Sequence, residues 1–214
     1  MILVDQCLGP IGSEQEEHLE FVSSVEKLLD QLLERPPFVT LCLILINLII
    51  FSLTTEREAW EFLGLRASSL ESGAPWQLLT AIFLHFDLTH LLLNEYGLFV
   101  LGTPVERVFG RAKTVYLYLS TGIIGSVASY FILPAYVLTL GASGAVFGLM
   151  GADLAMTVVH RTRPSGRNVG ATLAYVVVNF VQSMGPQINV VAHLGGLCFG
   201  FIAGFILAKY SGEI

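Results

Sequence analysis

The chain has 214 residues, of which 54% are apolar and 13% are charged, and its mean hydropathy is +0.70. Soluble domains carry roughly a quarter charged residues, so this composition excludes an ordinary soluble protein and indicates an all-α integral membrane protein. The formal net charge is −6, and residues 1–36 carry all of it, with eight acidic residues against Lys27 and Arg35. An acidic tail on a neutral remainder argues against a nucleic-acid partner, which would require clustered Lys and Arg.

Residues 1–36 predict a cytoplasmic tail that contains one short amphipathic helix. Ser13 and Glu16 have capping-box spacing, and apolar residues recur at helical intervals until Pro36 and Pro37 end the pattern. The first ten residues lack the basic and apolar regions of a cleavable signal peptide. We expect this helix to lie along the inner membrane face or to pack on the bundle, without an activity of its own.

Six stretches meet or approach the roughly 20 apolar residues that a membrane-spanning helix needs. They lie near residues 37–54, 77–102, 114–133, 142–159, 169–185 and 189–210. The predicted fold is a polytopic six-helix transmembrane bundle over residues 37–210, with a short tail at 211–214. Between the first two spans, residues 55–76 mix two tryptophans with apolar and charged side chains, which predicts a segment folded at the outer membrane interface.

Orientation follows from the basic residues in the short loops. They cluster after the second span and after the fourth, at Arg107, Arg111, Lys113, Arg161, Arg163 and Arg167. Because positive charge concentrates on the cytoplasmic side, both loops and both termini are predicted to be cytoplasmic. For a prokaryotic cell, the plasma membrane is then the expected location.

Ser143 is a candidate nucleophile. It follows Gly141 at the predicted N-terminus of the fourth span, where unpaired backbone N–H groups and the helix dipole favour developing negative charge. A serine needs such stabilisation, and a base to take its proton, before it can attack a carbonyl. A lone serine beside glycines is more often a helix cap or a small packing residue, so Ser143 alone does not decide the function.

His193 is a candidate for that base. It lies near the start of a sixth span whose glycines, Gly196, Gly200 and Gly204, recur every four residues. The fourth span offers a similar small face at Gly144, Gly148 and Gly151. Small faces allow two helices to approach closely. If they pack, Ser143 and His193 come within hydrogen-bond reach at similar depth. A lone membrane histidine could instead bind a backbone carbonyl or line a proton path. The same glycine faces would serve contacts between subunits, so the oligomeric state stays open.

The second span is unusually polar. His90 and Asn94 are four residues apart and share one helix face, where both can present hydrogen-bond donors to an oxyanion or simply join neighbouring helices. His85 projects elsewhere and is expected to be structural or to bind water. Glu95 must meet water or a donor, or be protonated. No ligand set for a metal is recognisable.

Together these residues resemble the rhomboid intramembrane serine proteases. The resemblance covers about residues 37–210 in the family's order, and it rests on Trp76, Thr80, Phe83, His85, His90-Leu91-Leu92-Leu93-Asn94, Gly102, Glu106, Gly110, Gly141-Ala142-Ser143-Gly144 and Ala192-His193-Leu194-Gly195-Gly196. Five linked motifs are far more specific than any one of them alone.

The resemblance implies a catalytic dyad, in which Ser143 is the nucleophile and His193 the general base and acid. The backbone N–H of Ser143, with His90 and Asn94, would hold the oxyanion, and Gly141 and Gly144 would shape the site. It further implies that the substrates are transmembrane segments of other membrane proteins in the lipid bilayer, cut near the outer end of the span at small residues. No cofactor and no metal are implied.

Three positions depart from the family's usual pattern. Phe147 stands where a tyrosine commonly packs on the histidine, which keeps a stacked ring but loses a hydroxyl. Gln77 replaces a frequent arginine after the tryptophan. In the cytoplasmic loop the arginine that usually lies two residues after the glutamate is displaced to Arg107, directly after Glu106, so its bond there is expected to differ.

Two other classes of function fit parts of the pattern. A rhomboid-like protein that binds transmembrane clients without cutting them would have no need of both Ser143 and His193, whose joint presence argues against it. A small transporter would need a polar path, and the scatter of the acidic residues over two helices, without internal symmetry, makes this the weakest alternative.

Overall fold

The computed structural model describes residues 36–54, 56–160 and 189–210, together with the isolated positions 22, 23, 170, 173, 174 and 177. The chain divides into two compact units, residues 1–36 and residues 37–214. The predicted amphipathic helix of the first unit and most of the fifth predicted span lie outside the described residues. Within the described part of the second unit the chain forms helices, and its only β-type pairing is one isolated bridge.

Eight α-helices are described in the second unit. They are α1 (Phe38–Leu53), α2 (Arg57–Leu63), α3 (Ala67–Glu71), α4 (Gln77–Thr80), α5 (Leu88–Phe109), α6 (Arg111–Ile132), α7 (Ser143–His160) and α8 (Val190–Tyr210). Among the residues described, α6 and α8 are long and apolar enough to cross a membrane, and α1 and α7 are shorter apolar helices. These four helices match the first, third, fourth and sixth predicted spans closely.

The prediction of one continuous span over residues 77–102 is wrong in its first part. Helix α4 ends at Thr80, a short 3-10 turn follows, and α5 begins only at Leu88. The Asp87 carboxylate accepts a hydrogen bond of 2.8 Å from the backbone N–H of His90 and so caps α5. Hydropathy over a window does not register such a cap, which is why the sequence pattern missed the interruption.

Helices α7 and α8 pack backbone against backbone. A Cβ atom added at Gly196 would collide with the carbonyl oxygen of Gly144, and one added at Gly200 would collide with the carbonyl oxygen of Gly148. The predicted contact between the two small faces is therefore confirmed. It buries α7 at the centre of the unit, where residues 144–153 are all buried.

Two carboxylates of α5 fasten α1 to the unit. The carboxylate of Glu106 accepts hydrogen bonds from the backbone N–H groups of Val39 and Thr40 at 2.9 and 2.8 Å, and from the Thr40 hydroxyl at 2.9 Å. These donors belong to the first turn of α1, which has no intrahelical acceptors for them. The side-chain amide of Asn47 donates to Glu95 Oε1 at 2.8 Å, so Glu95 meets a donor.

The segment between α1 and α5 folds against the loop that precedes α7. Leu65 and Thr139 pair as an antiparallel bridge, with backbone hydrogen bonds of 2.9 and 2.8 Å. Gln77 is buried and donates to the Phe62 carbonyl at 3.2 Å, as does the indole N–H of Trp76 at 3.0 Å. Gln77 therefore braces this segment at the position where the family frequently carries arginine.

Candidate active site

Ser143 is the first residue of α7, as the sequence predicts. The turn that delivers it depends on Gly141, whose φ of +133° is accessible mainly to glycine. The backbone N–H of Gly141 donates to the Ala81 carbonyl at 2.9 Å and holds the turn against the 3-10 segment. At the start of a helix the backbone N–H groups have no intrahelical acceptor, so Ser143 combines a nucleophilic oxygen with an anion-favouring position.

His193 lies opposite Ser143 on α8. Its Nε2 is 2.7 Å from Ser143 Oγ, which is a short hydrogen bond. The imidazole is 4% exposed, and its other nitrogen, Nδ1, has no hydrogen-bond partner among the described residues. The structure thus brings together the two residues that the motifs single out.

Phe147 fixes the plane of the His193 ring. The two rings are stacked, with centroids 4.3 Å apart and an interplanar angle of 7°. Phe147 is one turn beyond Ser143 on α7, so its ring meets the imidazole from the same helix that carries the hydroxyl. The stacking expected from the sequence at this position is confirmed.

The glycine contact explains why the two side chains meet. Gly144 directly follows Ser143, and Gly196 lies three residues after His193, where any Cβ would strike the Gly144 carbonyl. One of the closest contacts between the two helices therefore lies within one turn of both Ser143 and His193. Residues with larger side chains at this contact would push α7 and α8 apart, because the obstacle is backbone.

His90 borders the same turn. A Cβ on Gly141 would lie 2.9 Å from His90 Nε2 and 3.7 Å from Ser143 Oγ, so the His90 ring packs against the glycine two residues before Ser143. Asn94 is buried one helical turn later, and its amide donates to the His90 carbonyl at 2.8 Å. One of its two N–H groups is thereby directed back into α5.

Two further polar residues that the sequence singles out, His85 and Asp153, are fully buried. His85 is fully buried beside His90, with ring centroids 5.1 Å apart in an edge-to-face arrangement. Asp153 is fully buried on α7, ten residues and about 15 Å of helix rise beyond Ser143. Within the described ranges, no three His, Cys, Asp or Glu side chains are grouped as metal ligands.

One polar residue near His193, Asn189, belongs to none of the motifs found in the sequence. Asn189 caps α8 by accepting a hydrogen bond of 2.9 Å from the Ala192 backbone N–H. An asparagine four residues before His193, at the start of an apolar run, is a helix-start signal. That signal would have marked the cap from the sequence, but not the further contacts of the side chain.

Comparison with known proteins gives a consistent family. The family model described as Rhomboid domain matches residues 72–210. YdcA of Bacillus subtilis (strain 168) is 34% identical over 178 residues, which are 74% of this chain and 87% of YdcA. Rhomboid protease GluP of the same organism is 34% identical over 183 residues, 81% of this chain and 35% of GluP.

A plant relative shows the same level of similarity. RHOMBOID-like protein 6, mitochondrial, of Arabidopsis thaliana is 34% identical over 172 residues, 73% of this chain and 55% of that protein. The chain thus spans most of YdcA, about a third of GluP and about half of the plant protein. The matched region contains α5 to α8 and every residue of the candidate site, and this chain belongs to the rhomboid family of integral membrane proteins.

Proposed function

We propose that this protein is an intramembrane serine endopeptidase that cleaves transmembrane segments of other membrane proteins. The observation that carries the proposal is the 2.7 Å contact between Ser143 Oγ and His193 Nε2. The names of relatives such as Rhomboid protease GluP support peptide-bond hydrolysis as the reaction. No cofactor is needed for this chemistry.

In the proposed reaction His193 acts first as base and then as acid. The unprotonated Nε2 takes the proton of Ser143 as Oγ attacks the scissile carbonyl carbon, and the tautomer assigned for this step carries its proton on Nδ1. The imidazolium then protonates the departing amine, which leaves an acyl-enzyme on Ser143. A water molecule, deprotonated by the same Nε2, releases the second product and restores the hydroxyl.

The oxyanion would be held at the start of α7. The backbone N–H of Ser143 is oriented by the helix and favoured by its dipole. His90, packed on Gly141, and Asn94, one turn away on α5, would add side-chain donors. Phe147 keeps the imidazole plane fixed throughout, so proton transfer needs no reorientation of the ring.

The proposal also covers the membrane topology and the location of the protein. It spans the bilayer six times, with residues 37–210 as the catalytic unit, the segment 55–76 at the outer face, and the tails 1–36 and 211–214 in the cytoplasm. The plasma membrane is its proposed location. Ser143 lies at the outer end of its span in this orientation, so substrate segments would be cut near the outer membrane surface.

The decisive experiment uses the full chain in liposomes with a transmembrane peptide rich in small residues. Cleavage products of wild type, Ser143→Ala and His193→Ala are identified by mass spectrometry, and Ser143 is labelled with a fluorophosphonate. We expect cleavage by wild type alone and labelling that requires both residues. Circular dichroism controls for folding of the two variants.

A negative result would be informative as well. If wild type cleaves none of several peptides and Ser143 resists the fluorophosphonate, the hydrolase proposal fails. Binding of the same peptides without cleavage would then identify a client-binding protein.

A further inference from the structure

Asn189 joins the helix of the base to the segment of the nucleophile. Its side-chain oxygen caps α8 through the Ala192 backbone N–H at 2.9 Å, and its backbone carbonyl accepts from the His193 N–H at 3.3 Å. The first turn of α8, which carries His193, is therefore built directly on this residue.

The amide nitrogen of Asn189 reaches in the opposite direction. It donates to the Ser129 hydroxyl oxygen on α6 at 2.8 Å and to the Thr139 hydroxyl oxygen at 3.2 Å. The Ser129 hydroxyl uses its own hydrogen on the Gly125 carbonyl at 2.8 Å, so it can only accept from Asn189. The pairing therefore requires a side chain that accepts on one atom and donates on another.

Thr139 belongs to the segment that positions Ser143. Its backbone is bridged to Leu65 in both directions, and two residues later Gly141 is fixed to Ala81. The chain then enters α7 at Ser143. Because the intervening turn is held at both ends, Thr139 has a fixed position relative to Ser143, four residues later.

Asn189 secures the start of α8 beyond the glycine contacts. A Cβ added at Gly144 would lie 3.5 Å from the Ala192 carbonyl oxygen, and one added at Gly125 of α6 would lie 2.7 Å from it, so close packing reaches the residue before His193. Helix ends fray where tertiary contacts stop. The hydrogen bonds of Asn189, three residues before Ala192, extend the fixed part of α8 past that contact.

We infer that Asn189 is a positioning residue for the dyad, which holds the start of α8 in register with Thr139 and thereby sets the distance between His193 Nε2 and Ser143 Oγ. The inference rests on the proposed function, because the distance matters to activity only if the two groups react. It assigns a role in the reaction to a residue that touches neither the hydroxyl nor the imidazole.

The variants separate the capping of α8 by Asn189 from its hydrogen bonds to Ser129 and Thr139. Asn189→Asp keeps an acceptor for the Ala192 N–H but removes the amide donor, so the Ser129 hydroxyl could pair with the new side chain only by giving up its hydrogen bond to the Gly125 carbonyl. Thr139→Val removes the other acceptor at nearly constant volume, and Thr139→Ser is the matched variant that restores a hydroxyl. Ser129→Ala is a further variant that leaves the cap and Thr139 untouched.

Each full-length variant is reconstituted in liposomes. We measure kcat and KM for the transmembrane peptide, the rate at which the fluorophosphonate labels Ser143, and the thermal midpoint of unfolding. A misplacement of about 1 Å can lower the rate about a hundredfold. We expect Asn189→Asp and Thr139→Val to lower kcat and the labelling rate by tenfold or more, in the range of that effect, with KM near wild type and both proteins folded at the assay temperature. Thr139→Ser should recover most of the loss. The double variant Asn189→Asp, Thr139→Val should be no slower than Asn189→Asp alone, because both changes break the same tie.

Three outcomes would overturn the inference. If wild type cleaves and the variants keep its kcat, Asn189 does not position the dyad, and the proposed function stands. If kcat falls only where the thermal midpoint falls in parallel, the residue is a structural cap. If wild type itself neither cleaves nor is labelled, the proposed function fails and the inference fails with it.

Discussion

The contact between Gly196 and Gly144 gives the most direct test of how the helices create the site. In Gly196→Ala the new methyl group would overlap the Gly144 carbonyl oxygen and lie 2.9 Å from its carbon. Backbone atoms cannot rotate away, so α7 and α8 must separate by on the order of 1 Å to regain ordinary contact distances. Because Ser143 and His193 lie within one turn of this point, we expect their 2.7 Å contact to be lost.

The expected consequence is a fall in kcat of about a hundredfold, equivalent to about 2.7 kcal/mol of activation free energy. The assay is cleavage of the transmembrane peptide in liposomes, with circular dichroism to confirm helix content. Gly195→Ala is the milder matched change on the same helix turn: its methyl group would lie 3.0 Å from the Ala128 Cβ and 3.4 Å from the Gly125 Cα, so α8 needs to shift against α6 by only about a few tenths of an ångström. A kcat of Gly196→Ala equal to that of wild type would refute the reasoning. An equal loss of kcat in both variants would show that the contact between Gly196 and Gly144 is not the cause.

The remaining predictions concern single contacts. Phe147→Leu removes the ring stacked on His193, a contact that contributes about 0.5–1.5 kcal/mol, so kcat in the peptide assay should fall about two- to tenfold. The kcat of Phe147→Tyr should stay near wild type. Equal rates for the Leu and Tyr variants would contradict this. Glu95→Leu leaves the Asn47 amide only the Tyr118 hydroxyl, at 3.5 Å, as an acceptor, and should lower the free energy of unfolding in detergent by about 1–3 kcal/mol. Glu95→Gln should lower it less, and a Leu variant as stable as wild type would show that the contact is dispensable. Glu106→Gln replaces the carboxylate that accepts from the first turn of α1 and should lower the free energy of unfolding by about 1.5–3 kcal/mol. The kcat of the folded protein should not change. A lower kcat at full stability would show that Glu106 affects the reaction as well as the fold.

Much of this architecture is predictable from residue type and spacing. The apolar lengths locate α1, α6, α7 and α8, and the four-residue repeat of glycine predicts the contact that brings Ser143 near His193. Both patterns report a local physical requirement, either a bilayer thickness or a close approach of two backbones. Such requirements leave a trace in the sequence that does not depend on the rest of the fold.

What the sequence does not reveal depends on partners that are distant along the chain. The interruption before α5 is set by the Asp87 cap and by packing of the preceding turn, which a hydropathy window averages away. The pairing of Glu95 with Asn47 joins residues 48 apart, and the tie from Asn189 to Ser129 joins residues 60 apart. Polar residues in apolar runs indicate that partners exist, but only the fold identifies them.

The carboxylate contacts of α1 determine where a self-sufficient version of this protein must start. The family match begins at residue 72, so α1 lies wholly outside it. Nevertheless, α1 supplies the donors that Glu106 and Glu95 accept from. A chain shortened to the matched region would leave two carboxylates in apolar surroundings without those donors, and it should fail to insert or fold where the longer chain succeeds. The family model thus begins three helices, α1 to α3, after the start of the stable unit.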